Sequence, residues 1–71
     1  MGYSLRDLRR NKLLSQRELT NLMGMRDGQI RKLESGKRKL EICEAKKLSI
    51  ILSVTLDDIY NAYKLSKIQN L

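Results

Sequence analysis

Three times in this chain a serine or threonine is followed three residues later by an acid and bracketed by an apolar pair, and nowhere is there a proline. Ser4 with Asp7, Ser15 with Glu18 and Thr55 with Asp58 are capping-box sequences, and Tyr3/Leu8, Leu14/Leu19 and Val54/Ile59 are the matching hydrophobic staples. At each box the hydroxyl accepts from an N–H that the first helical turn leaves unpartnered, which is worth about 1 kcal/mol. A chain of 71 residues hides only about 60% of the surface its unfolded form exposes, so terms of that size decide whether short helices form. No segment shows the Val/Ile/Thr alternation of a strand. The expected class is all-α, one compact bundle of five helices.

Apolar spacing and glycine positions set the helix limits. The first helix is expected from about Leu5 to Asn11 or Lys12, and the second from Gln16 to Met23, where Gly24 can adopt the left-handed conformation that ends it. The third runs from near Asp27 to Glu34 and stops at Gly36. Its start is open: either Asp27 is the N-cap and the helix begins at Gly28, or Arg26 caps and the glycine is tolerated against a partner. Asp27 is the favoured cap. A fourth helix spans Ile42 to Leu52 with Ala45, Leu48, Ile51 and Leu52 on one stripe, although Glu41 is a poor N-cap. Leu56, Ile59, Tyr60 and Tyr63 repeat that spacing in a fifth. Residues 1–64 are expected to form the domain, with 65–71 a tail or a helix extension.

Within this plan the stretch from Gln16 to Leu33 forms two short helices around a tight turn, the geometry of a helix-turn-helix. Leu19, Met23, Met25, Ile30 and Leu33 fall where two crossing helices meet, and the two methionines are core filler. Gln16, Arg17, Gln29, Arg31 and Lys32 point elsewhere.

Charge follows the same division. Residues 1–39 hold eleven of the 15 Lys/Arg and only four of the eight acids, whereas residues 40–71 hold four of each. The whole net charge of +7 therefore sits in the half that carries the two crossing helices, as attraction to phosphate requires. Enzyme chemistry is not expected: histidine is absent, Cys43 has no base partner, no metal-ligand set exists, and adjacent Asp57 and Asp58 diverge on a helix. No cofactor or small-molecule ligand is implied. The longest apolar run, Leu48 to Leu56, is too short for a membrane span, and the first residues lack the apolar core of a signal peptide, so a cytoplasmic protein is expected.

The chain resembles a family through Gln16-Arg17-Glu18-Leu19, Gly24, Ile30, Leu33-Glu34-Ser35-Gly36-Lys37-Arg38 and Val54-Thr55-Leu56-Asp57-Asp58-Ile59. It is similar, from about Leu5 to Tyr60, to the lambda-repressor/Cro-type (XRE-type) helix-turn-helix domains. The resemblance implies that Gln16 bonds a phosphate from the start of the second helix, and that Arg26, Asp27, Gly28, Gln29 and Lys32 face the major groove. Gln29 then suits adenine N6/N7 and Lys32 suits guanine O6/N7. Lys37, Arg38 and Lys39 match a backbone-contacting loop, and Arg10 and Arg17 join them as phosphate candidates. Arg9 and Glu34 match an ion pair between the first and third helices, with Gly24, Ile30 and Leu33 structural. Arg31 is expected to point away from the groove. Thr20 stands where relatives usually carry alanine, and Glu41 and Glu44 would repel phosphate if that end of the fourth helix faced DNA.

The implied partner is double-stranded DNA, and the implied role is a sequence-specific transcriptional repressor that binds an inverted repeat as a homodimer. Leu40, Ile42, Leu65, Ile68 and Leu71 are the candidate dimer residues. The alternative is a protein-interaction module, such as the antitoxin of a toxin–antitoxin pair.

Overall fold

All three capping boxes close in the computed structural model, which describes residues 2–69. Ser4 Oγ accepts from the Asp7 N–H at 3.2 Å while the Asp7 carboxylate accepts from the Ser4 N–H at 3.0 Å. The Ser15/Glu18 pair closes with both bonds at 3.0 Å, and the Thr55/Asp58 pair with both at 3.1 Å. Five α-helices follow among the described residues: α1 Leu5–Asn11, α2 Gln16–Met23, α3 Gln29–Glu34, α4 Ile42–Leu52 and α5 Leu56–Gln69. No helix among them is long and apolar enough to cross a membrane.

One core joins all five. Leu5 of α1, Leu19 and Met23 of α2, and Ile30 and Leu33 of α3 are buried against Ala45, Leu48 and Leu52 of α4 and Ile59, Ala62 and Tyr63 of α5. Helix α5 packs on α1, α3 and α4, and α2 packs on α3 and α4. The stripes therefore converge where 3.6-residue periodicity directs them. Leu56 departs from its stripe, being 36% exposed at the first position of α5.

Beyond residue 64 the chain continues α5 as far as Gln69. Ser66 is fully buried there, accepting from the Leu5 N–H at 3.1 Å and donating to the Ala62 carbonyl at 2.8 Å. This hydroxyl supplies a partner to an N–H that the start of α1 would otherwise leave orphaned inside the protein.

The start of α3 differs from both sequence alternatives. Gly28 itself is the N-cap, at φ 84°, and the helix begins at Gln29. Neither Asp27 nor Arg26 caps it, and no side chain bonds the cap. A left-handed residue is strained for anything but glycine, so Gly28 serves as the corner that turns the chain into the helix. Leu40, expected at a dimer surface, is instead only 7% exposed and belongs to the core. The other dimer candidates divide: Ile42 and Ile68 are exposed, Leu65 is half-buried, and Leu71 lies outside the described residues.

Candidate nucleic-acid interface

Helix α3 is only six residues long, so its two sides are set by single side chains. Ile30 and Leu33 are 2% and 1% exposed and hold the helix against the core. Gln29, half-buried, and Lys32, exposed, lie three residues apart and share the outward side. Arg31 is exposed on the flank nearer α1. Arg26, Asp27 and Gly28 are exposed too, but they occupy the turn before α3 and not the helix. The turn after Met23 is made by Gly24 at φ 67°, with the Met25 N–H bonded to the Thr20 carbonyl at 3.1 Å.

Beneath α3 lies a buried ionic cluster that fixes its angle. Arg9 Nε donates to Glu34 Oε2 at 2.6 Å and Nη2 donates to Oε1 at 3.3 Å, with both side chains less than a tenth exposed. The third arm, Nη1, donates to the Leu14 carbonyl at 2.7 Å. A single guanidinium thus ties α1 to α3 and to the α1–α2 loop, its fork geometry matching the carboxylate. Gln16 joins the cluster, its amide donating to Glu34 Oε1 at 3.0 Å. That bond uses one of the two amide N–H groups and holds the half-buried side chain at the mouth of the interface. Thr20 is 6% exposed where α2 meets α3, and its hydroxyl donates back to the Gln16 carbonyl at 2.7 Å.

The basic loop after α3 is shaped by a Schellman turn. The Lys37 N–H bonds the Lys32 carbonyl at 2.9 Å and the Gly36 N–H bonds the Leu33 carbonyl at 3.2 Å. Gly36 sits at φ 74°, and a Cβ there would fall 2.8 Å from the Lys67 backbone, so α5 closes over the turn. Lys37 and Lys39 are exposed, whereas Arg38 is half-buried. Arg38 Nη1 lies 2.7 Å from the Glu44 carboxylate, and the Arg38 carbonyl accepts from the Tyr63 hydroxyl at 2.5 Å. Sequence reasoning missed both ties. It assigned Arg38 to phosphate and treated Glu44 as a repulsive charge, yet each neutralises the other. No spacing rule signals them, since they join the loop to the first turn of α4 and to α5.

Arg10 and Arg17 are exposed on α1 and α2. Exposed cations thus lie on α3 and on the segments before and after it, with Arg10 lining a cleft on its α1 side, while the buried pair carries none of the surplus charge. Such a helix, propped by an apolar face and flanked by cations, defines the class of small helix-turn-helix DNA-binding regulators. The chain belongs to the helix-turn-helix family, whose model matches residues 5–59, and within it to the lambda-repressor/Cro (XRE) type. No curated protein and no solved structure matches it.

Proposed function

We propose that this chain is a sequence-specific transcriptional repressor that binds an inverted-repeat operator as a homodimer. The observation that supports this best is the division of α3: Ile30 and Leu33 buried, Gln29 and Lys32 outward, with Arg26, Lys37 and Lys39 exposed around them. Gln29 is the candidate for adenine N6/N7 and Lys32 for guanine O6/N7. Arg26, Asp27 and Gly28 border the groove from the turn. Released from capping, the Asp27 carboxylate is available to accept from cytosine N4. Gln16, Arg10, Arg17, Lys37 and Lys39 are the phosphate candidates, and Arg38 supports the loop through Glu44.

One domain with on the order of six phosphate contacts binds weakly at physiological salt. Two copies on half-sites about 34 Å apart gain both affinity and selectivity. Exposed Ile42 and Ile68, with half-buried Leu65, are the surface available for that pairing.

Selection from random duplexes at fixed salt tests the reading. An enriched motif with two half-sites supports it, and Lys32→Ala should then relax preference at one base position at a cost of about 1 to 3 kcal/mol. Lys37→Ala should weaken every sequence alike. Retention that is weak and blind to sequence would sink the repressor reading and favour the protein-interaction alternative.

A further inference from the structure

Two arginines that the sequence left without a role, Arg6 and Arg31, face the same open cleft as Arg10. The cleft, about 620 Å³, lies between α1, the start of α2 and the α1-side flank of α3. The Arg9–Glu34 pair, Ser4, Gln16 and Ser35 complete its lining. Since Glu34 is matched by Arg9, the walls present three guanidinium groups with no matching carboxylate in the lining. Asp7, outside the lining, attracts Arg6 and Arg10 from α1, but its carboxylate is bonded to the Ser4 N–H and it leaves Arg31 unmatched. Three like charges converging on one cleft repel one another, and an anion placed among them removes that cost while gaining charge-assisted bonds.

We propose that Arg6, Arg10 and Arg31 form a seat for a phosphate of the DNA backbone, beside the groove that α3 enters. The inference rests on the DNA-binding reading above and adds Arg6 and Arg31 to the phosphate-holding set. A planar guanidinium fork suits phosphate oxygens, and no aromatic side chain lines the cleft to stack a base, so a backbone phosphate fits better than a nucleotide. Symmetry around α3 points the same way. On its opposite flank a second cleft of about 380 Å³ presents Arg26 and Lys47, its third cation Arg38 being paired with Glu44 in the same lining. The two basic clefts are separated by one helix, roughly 10 to 12 Å across, and the two phosphate backbones are separated by a major groove about 12 Å wide. Arg31, turned from the bases, is thereby turned toward a strand.

The test is the salt dependence of binding to a random-sequence duplex of about 20 base pairs, followed by fluorescence anisotropy. Each phosphate that the protein ceases to neutralise should flatten the slope of log K against log salt by about 0.9, and weaken binding about 8-fold at 0.1 M salt. Arg6→Gln/Arg31→Gln, which empties a one-phosphate seat, should therefore lower the slope by about 0.9, while Lys46→Gln/Lys64→Gln, with the same charge change on exposed sites away from the cleft, should leave it within about 0.3. Arg31→Lys should restore most of what Arg31→Gln removes. Circular dichroism checks that each variant folds, and the single Arg31→Gln carries the test should the double variant not. Equal slopes in both double variants would overturn the proposal while leaving DNA binding intact. So would a cleft that binds inorganic phosphate but whose loss does not alter the DNA slope, since the seat would then serve a free anion. A wild-type chain that fails to bind the duplex at any salt refutes the DNA-binding reading itself, and the seat with it.

Discussion

Replacing Glu34 by alanine should destabilise this domain more than any other change of a polar or charged residue of α3. The pair it breaks is buried, with side chains 8% and 6% exposed and Nε 2.6 Å from Oε2. At an effective dielectric of about 20, unit charges at that separation attract by roughly 6 kcal/mol, and desolvating them costs several kcal/mol per ion. Intact, the pair therefore contributes little net stability. Truncation is different, because Arg9 keeps its burial and its bond to the Leu14 carbonyl but loses the counter-charge, and Gln16 loses its acceptor. The expected cost is about 3 to 5 kcal/mol, against a total of roughly 4 to 10 kcal/mol for a chain of this length. In melting temperature that is about 12 to 40 °C. Urea titration followed by far-ultraviolet circular dichroism measures it. Arg9→Met/Glu34→Leu, which removes both charges and refills the space, should recover most of the loss. A Glu34→Ala variant within about 1 kcal/mol of the parent, or a double variant no better than the single, would refute the reasoning.

Further outcomes are expected at the turn and at the caps. Gly36→Ala meets both a left-handed backbone and a Cβ placed 2.8 Å from the Lys67 backbone, whereas at Gly24 an added Cβ meets nothing within 4 Å. Gly24→Ala should thus cost only the conformational term of about 1 to 2 kcal/mol, and Gly36→Ala distinctly more, with equal melts counting against close packing of α5 on the turn. The carboxyls of Asp7 and Glu18 are held below their ordinary values of 3.8 and 4.5, chiefly by the backbone N–H bonds from Ser4 and Ser15. Depressed folded values mean that the unfolded chain takes up protons first as pH falls. The capping contribution is therefore full above about 4.5 and is lost as acid titrates the folded carboxyls, and Asp7→Asn/Glu18→Gln should flatten that acid limb of a melting series.

How much was legible beforehand depended on the range of the interaction. The capping boxes, the left-handed turn at Gly24 and the apolar stripes join residues three or four positions apart, so their chemistry is written in adjacent letters, and α1, α2 and α4 lie within their expected limits. The start of α3 was not legible, because Asp27 and Arg26 were the caps the local sequence offered, whereas the left-handed Gly28 caps the helix without any side-chain bond to signal it. Leu40 failed for a related reason. Exposure of a single apolar residue in a loop depends on what closes over it, and here the loop is drawn to the core with Tyr63 bonded above it.

By itself the sequence determined the class: a proline-free chain of short capped helices, half of it basic, with two helices set to cross. Tertiary structure alone decided which charges are available. It joined Gln16 to Glu34 across 18 residues, Tyr63 to the Arg38 carbonyl across 25, and Ser66 to the Leu5 N–H across 61. It also withdrew Arg38 into a pair with Glu44 and brought Arg6, Arg10 and Arg31 to one cleft. The physical reason is that capping and periodicity act along the chain, where spacing is set by the backbone, whereas a charge is neutralised or left free by whatever the packed core brings beside it.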